Sequence, residues 1–289
     1  MVDKPSPPLT PEAREAKKTD AQRAQDTAYT INHAIACTVT DFIDPYIGNV
    51  TQTYLGKRFS IGCNHDHSHD ANHDYDHAHD HTHDHPHDHS HLTHWWIGEV
   101  VGDFGAVPLT IGLQRYAPGF MDRLRMLMEP ALGTFFHKGA ERTAKKWALK
   151  HGVPIESDEY KAQLEAIYRH EMDHLPQALI WTASSIAINL ATQRAMGNHG
   201  PFWQLAAGKA TGATISAGLV VSGRGLAPGA AESWDNFTSE HLFLPATQAV
   251  GGLFGVKKED VQQMAERQKQ LTERPWSERA QSTEPTRGK

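Results

Sequence analysis

Residues 95–113 read WWIGEVVGDFGAVPLTIGL, and two acidic side chains, Glu99 and Asp103, stand in this stretch among apolar and small neighbours. The stretch does not alternate between apolar and polar residues, as a half-buried strand would. It is close to the roughly 20 largely apolar residues that a membrane-spanning helix needs, and its two leading tryptophans are typical of the membrane interface. We therefore interpret 95–113 as a helix of a bundle core or of a bilayer.

Further apolar segments lie on both sides of this stretch, and 175–193 is the longest that has no charged residue. These segments cover 29–55, 175–193, 202–222 and 242–256. Because no alternating strand pattern persists anywhere in the chain, the sequence predicts an all-α fold, a bundle of about five to seven helices.

Composition divides the chain into five parts. We predict a disordered N-terminal tail (1–26), a first helical segment (27–60), a His/Asp-rich loop (61–94), a helical bundle (95–256) and a polar C-terminal tail (257–289). The tails combine many charges with proline or Ser/Thr-rich sequence, so little apolar area is available to order them. We expect at most one exposed helix in the first tail, and a helical first half followed by a disordered end in the second. The first part lacks the apolar core of a signal peptide, and secretion by that route is not expected.

The apolar segments favour a membrane-associated protein with lipid as a partner, with a cytoplasmic bundle as the alternative. Acidic side chains inside a span are costly but often functional, so Glu99 and Asp103 do not exclude one. Four small-xxx-small pairs would let helices approach closely within the chain or in a homo-oligomer. They are Gly98/Gly102, Gly208/Gly212, Gly225/Gly229 and Gly251/Gly255.

Charge and cysteine content exclude two classes of protein. The net charge is −6 with neutral histidine, and no basic run stands out, so the sequence does not indicate nucleic-acid binding. The two cysteines, Cys37 and Cys63, form neither a disulfide framework nor a CxxC site.

The loop has the most unusual composition in the chain, because residues 65–94 hold thirteen of its 20 histidines and seven aspartates. Neutral imidazole suits Zn, Ni, Co and Cu, and carboxylates can add ligands. The candidate ligands are His65, His67, His69, His73, His77, His79, His81, His83, His85, His87, His89, His91 and His94. The tract resembles the histidine-rich loops of several transition-metal transporters and metallochaperones, which implies metal binding. The alternatives are a solvated linker, or a switch that becomes basic as imidazole titrates near pH 6.5.

Three pairs of side chains could build an ordered metal site in the bundle. Asp41 and Asp44 are three residues apart, and Glu99/Asp103 and His170/His174 are each four apart, so each pair is predicted to share one helix face. Facing helices with inward carboxylates and histidines form metal sites in bundles. The alternative is that the acids bond to neighbouring side chains or face solvent. We interpret the isolated His33 as structural and Lys209 as a snorkelling or paired cation.

Residues 170–174 read HEMDH, which resembles the zincin metallopeptidase signature over these five residues. The resemblance implies that His170 and His174 bind zinc and that Glu171 is the general base. The available third ligands are Glu232, Glu240, His199 and His241.

Two features of the neighbouring sequence depart from that signature. Arg169 and Asp173 place charges in and next to the motif, and Pro176 follows it closely. Proline disfavours a helix interior, so the sequence predicts that one helix ends here and another begins near Leu175, capped by the acids.

The leading functional hypothesis is a membrane-associated helical protein that binds or helps move a divalent transition metal such as Zn, Ni, Co or Cu. In this hypothesis the loop gathers ions and the acidic and histidine pairs form the ordered site. The alternatives are a zinc-dependent hydrolase that uses HEMDH, and a non-enzymatic scaffold with a pH-responsive histidine loop.

Overall fold

The computed structural model describes residues 20–59, 90–198 and 200–273, and every regular element within these ranges is helical. The elements are α1 (Asp20–Thr40), α2 (Asp44–Phe59), α3 (Ser90–Tyr116), α4 (Pro118–His151), α5 (Asp158–Ala195), α6 (Phe202–Leu226), α7 (Pro228–Thr238), a π-helical turn (Ser239–Phe243), α8 (Leu244–Leu253) and α9 (Lys258–Glu273). The prediction of an all-α fold is confirmed.

The predicted number of helices was slightly too low. The π-helical turn joins α7 to α8 without a break, so the described ranges contain eight helical rods rather than five to seven. Segments assigned to the polar tails are partly helical, because α1 begins at Asp20 and α9 runs from Lys258 to Glu273. The disorder predicted for the loop and the chain ends concerns residues 1–19, 60–89 and 274–289, which lie outside the described residues.

A break between α1 and α2 precedes Pro45. Helix α1 stops at Thr40, and α2 begins at Asp44 with Pro45 as its second residue. Proline is well tolerated in a first helical turn, because the N–H that it lacks would have no partner there.

The predicted helix break near Pro176 is wrong. Helix α5 is continuous from Asp158 to Ala195, with Pro176 inside it. Asp173 does not cap a new helix; its carboxylate accepts a hydrogen bond from Arg125 of α4 at 2.5 Å. Proline removes one backbone hydrogen bond, and packing along the two flanking stretches of a long helix can offset that loss.

The described chain forms two compact units. In unit 1 (1–36, 106–183 and 233–289) the buried residues are mostly apolar. One of its cores is centred on Trp147 and Ile167, between α4 and α5, and another on Ala28 and Val261. This is the ordinary arrangement of a domain that folds by removing apolar surface from water.

Unit 2 (37–105 and 184–232) has the opposite arrangement. Apart from glycine and proline, three of its described residues are buried and apolar, namely Trp95, Leu190 and Leu205, whereas ten are buried and polar or charged. Eighteen of its large apolar side chains are exposed, among them Val100 and Phe104 of α3. Its interior is therefore polar and its outer surface largely apolar.

Glycines allow the helices of unit 2 to approach closely. The carbonyl oxygen of Gly48 on α2 lies 2.7 Å from the point where a Cβ of Gly208 on α6 would be, and a Cβ on Gly212 would overlap the carboxylate of Asp44. On α3, Gly102 faces Ser185 of α5 in the same way. Two of the four small-xxx-small pairs thus mark contacts between helices within this unit.

One helix in the described ranges is long and apolar enough to cross a bilayer, the part of α3 from Leu92 to Tyr116. In its most apolar window 44% of the residues are buried, and a core helix of a water-soluble protein has the same properties.

The contact between α2 and α6 can be tested with two substitutions in one helix. Gly212→Ala should lower the free energy of unfolding by about 1–3 kcal/mol, because the added methyl group overlaps Asp44. Gly218→Ala is the matched control, since no atom lies within 4 Å of its Cβ position, and it should be neutral or slightly stabilising. Thermal unfolding in detergent compares them, and equal effects of the two substitutions would contradict the described packing.

Candidate functional site

Four carboxylates meet in unit 2. Glu99 and Asp103 lie one turn apart on α3, with exposed fractions of 1%, which confirms that they share an inward face. Asp44 is fully buried at the start of α2. Asp41 is half-buried in the break between α1 and α2, so the prediction that Asp41 and Asp44 share one helix is wrong.

An ammonium group from a third helix lies among these acids. Lys209 of α6 donates hydrogen bonds to Asp44 Oδ2, at 2.6 Å, and to Glu99 Oε1. All three side chains are nearly inaccessible to solvent. The ion pair therefore links α2, α3 and α6, and it identifies Lys209 as a paired cation rather than a snorkelling one.

Asp103 is held by hydroxyl groups instead of a cation. Thr38 donates to Asp103 Oδ2 at 2.6 Å, and Ser185 donates to Asp103 Oδ1 at 2.5 Å. Hydrogen bonds of this kind orient a carboxylate and stabilise its charge.

Part of the cluster has the geometry of a cation site. Oxygen atoms of Asp41, Glu99 and Asp103 all lie within 4.8 Å of one another, which makes this the one group of three His, Cys, Asp or Glu ligands that converges within the described ranges. In addition, Asp44 Oδ1 and Glu99 Oε2 are buried without a hydrogen-bond partner in the described part of the chain. Buried polar atoms normally have partners, so the hydrogen-bonding capacity of these two carboxylates is incompletely satisfied.

A row of amides continues from this cluster along α5. Ser185, Asn189 and Gln193 are spaced four residues apart, and Gln193 donates to Asn189 Oδ1. Asn198 then donates to Gln193 Oε1 at 3.3 Å and accepts a 2.7 Å hydrogen bond from Gln52 of α2. The bond from Gln52 therefore ties α2 to the segment that follows α5, and the other two bonds extend the row back along α5.

The predicted histidine pair belongs to unit 1, whereas the four carboxylates belong to unit 2. The rings of His170 and His174 are 4.3 Å apart, and the ring of Tyr29 lies 4.0 Å from that of His174. His174 Nδ1 donates to the backbone carbonyl of His170 at 2.7 Å, which leaves its Nε2 as the acceptor. Burial, with His174 and Arg267 nearby, lowers the pKa of His170 to about 4.

The third zinc ligand suggested by the resemblance to zincins does not join this pair. Glu240 and His241 lie in the π-helical turn, Glu232 belongs to unit 2, and His199 lies outside the described residues. Within the described ranges, no third His, Cys, Asp or Glu ligand converges on His170 and His174. The side chain of Glu171 is exposed. Zinc hydrolysis therefore stays a prediction from five residues.

The loop histidines from His65 to His89 lie outside the described residues, and so does the side chain of His91. His94 is half-buried in the first turns of α3. Metal binding by the loop stays a prediction from its composition.

The sequence did not reveal how the acids are partnered. Lys209 was noticed as a charge among small residues, but its partners lie 110 and 165 positions away. Ser185 and Asn189 were part of the uncharged segment 175–193, and their four-residue spacing was the signal for a polar face on α5.

Comparison with known proteins adds no family to this description. No protein-family model, curated protein or solved structure matches the chain.

The buried histidine in unit 1 makes stability depend on pH. Because the pKa of His170 is about 4 in the folded chain and near 6.5 in the unfolded one, the unfolded state binds the proton first. The contribution of neutral His170 is fully present above pH 6.5 and is lost as pH falls towards 4, by about 1–3 kcal/mol in total.

Denaturant unfolding of wild type and His170→Gln at pH 7.5 and pH 5 measures this effect, and the variant should lose less stability on acidification. His137→Gln is the control, because that ring contacts Tyr168 instead. If wild type and His170→Gln lost equal stability on acidification, the loss could not be attributed to the lowered pKa of His170.

Proposed function

We propose that this chain is a membrane-embedded protein that binds and handles divalent metal ions, with the carboxylate cluster of unit 2 as the ordered site. One observation carries the proposal: four acidic side chains and one ammonium group lie in the interior of a unit whose outer surface is largely apolar.

The distribution of side chains in unit 2 supports a bilayer environment. In water, eighteen exposed large apolar residues would cost free energy, whereas in lipid they are solvated and the polar groups gather inside. Helix α3 is the described helix that is long and apolar enough to cross by itself. We propose that α6 and residues 175–193 of α5 cross beside it, with polar side chains such as Asn189 and Lys209 buried inside the bundle.

The charge of the cluster supports a cation as its ligand. With all four acids ionised, Lys209 compensates one negative charge and leaves three. Buried charges without compensation are very costly, so they must be balanced by bound protons or by a metal ion. A divalent ion at Asp41, Glu99 and Asp103 would balance two of these three charges, a bound proton would balance the third, and the acids would supply the ligand oxygens.

The ligand atoms indicate the kind of ion. The site contains carboxylate and hydroxyl oxygens, which suit Mn²⁺ and Mg²⁺ and are also accepted by Zn²⁺ and Co²⁺. The imidazoles of residues 65–94 suit Zn, Ni, Co and Cu. In our proposal the loop gathers ions by its composition, and the oxygen site holds one of them inside the bundle.

Membrane integration is tested by fractionation. The full chain should remain in the membrane pellet after an alkaline carbonate wash, because that treatment removes proteins bound only at the surface. Detergent should release it. Recovery of the chain in the carbonate supernatant would exclude the proposed spans.

Metal content tests the ordered site. Elemental analysis after exposure to Zn²⁺, which imidazole and carboxylate ligands both accept, compares the untagged full chain with a variant that lacks residues 65–91. The deletion should sharply lower the stoichiometry yet keep about one ion per chain, as expected for one converging ligand group.

In the deletion background, Asp103→Asn should remove that last ion, because it takes away one of the three converging carboxylates. Asp260→Asn, at a buried acid in unit 1, is the matched control and should keep the ion. Loss of all metal with the loop alone would mean that the helices hold no site.

A further inference from the structure

We infer that Lys209 determines the ion selectivity of the cluster: its ammonium group competes for Glu99 with any entering cation, admits divalent ions and excludes monovalent ones. The inference deepens the proposed function and rests on it.

Glu99 is shared between two sets of partners. One of its oxygens accepts a hydrogen bond from Lys209, and the same carboxylate converges with Asp41 and Asp103. A cation bound by the three acids must therefore draw Glu99 away from the lysine, or bind against its charge. Asp44 is not part of the converging group, so it can keep the ammonium as a partner when Glu99 leaves.

A second observation indicates that the cluster can take a ligand. Glu99 Oε2 and Asp44 Oδ1 have no hydrogen-bond partner in the described ranges, although these residues have exposed fractions of 1% and 0%. The lysine thus occupies one oxygen of each carboxylate. Glu99 Oε2 is left for a ligand, whereas Asp44 Oδ1 packs against Gly212. Bare acidic clusters on a surface do not show this pattern, because water satisfies their oxygens.

Lys209 cannot withdraw from the cluster into solvent. Its exposed fraction is 5%, and the glycines before and after it, Gly208 and Gly212, hold α6 directly against α2. The ammonium group stays within reach of Asp44 and remains a fixed positive charge beside the site.

This fixed charge separates ions by valence. A monovalent cation offers Glu99 the same charge that Lys209 already provides, so it gains little Coulomb energy by replacing it. A divalent ion doubles the attraction to each of the three acids, and charge interactions are large in an interior of low dielectric constant. The expected ligand class is therefore a divalent, oxygen-preferring ion such as Mn²⁺.

The test uses the full chain in detergent, with Mn²⁺ as the probe. Bound Mn²⁺ is measured by electron paramagnetic resonance. The difference in bound Mn²⁺ between the wild type and the Asp103→Asn variant is assigned to the cluster. Titrations in NaCl are compared with titrations in N-methylglucamine chloride at equal ionic strength, so that screening cancels. For the wild type, the affinity for Mn²⁺ should be the same in both salts.

The decisive variant is Lys209→Met combined with Asp44→Asn, which removes one charge of each sign and so avoids a buried unpaired ion. Na⁺ should now compete, and the affinity for Mn²⁺ should be about tenfold lower in NaCl than in the organic salt. Lys209→Arg, which keeps the positive charge, should behave like the wild type. Asp44→Asn alone should weaken Mn²⁺ binding in both salts, because Lys209 then pairs with Glu99 only.

The possible failures are distinguishable. If the wild type has no Mn²⁺ binding that depends on Asp103, both the proposed function and this inference are wrong. If that binding is present but the double variant is as insensitive to Na⁺ as the wild type, the site stands and the role of Lys209 is wrong. Competition by Na⁺ in the wild type itself would also overturn the inference.

Discussion

The hydrogen bonds from Lys209 to Asp44 and Glu99 are the interaction on which the rest of unit 2 depends. Removing three charged groups from water is costly, and their mutual attraction offsets that cost only if the geometry is close. Close geometry requires α6 to lie against α2, and glycine at 208 and 212 permits it. The ion pair and the glycines are therefore linked, since the close approach of α6 to α2 brings Lys209 within hydrogen-bonding distance of Asp44.

The two units are stabilised by different means. Unit 1 buries apolar side chains such as Trp147 and Ile167, so its helices associate by removing that area from water. Unit 2 buries few apolar side chains, and its helices are connected by the ion pair, by the hydroxyl groups around Asp103 and by the amide row from Asn189 to Gln52. A polar interior of this kind is stable where the surroundings do not compete for its hydrogen bonds, as in a lipid bilayer.

The sequence predicted those features that depend on a single helix. The all-α class and the shared inward face of Glu99 and Asp103 follow from spacing along one segment, and both are confirmed. Asp41 and Asp44 were placed on one face by the same rule, but Pro45 moved the helix start to Asp44 and left Asp41 in the break. The partners of Lys209 depend on which helices adjoin, and no periodicity within α6 contains that information.

The histidine pair and the acids make different demands on a ligand. His170 and His174 pack on Tyr29 in unit 1, and His174 is directed by a backbone carbonyl, so this pair needs no metal to be ordered. The acids of unit 2 differ, because their negative charges exceed the single ammonium group and two of their oxygens lack partners. A neutral imidazole there would satisfy hydrogen bonds without adding charge, whereas a carboxylate forms hydrogen bonds and also adds a negative charge. In our proposal, a site built only from oxygens responds to the charge of its ion more than to its softness, and the fixed charge of Lys209 sets how much charge that ion must carry.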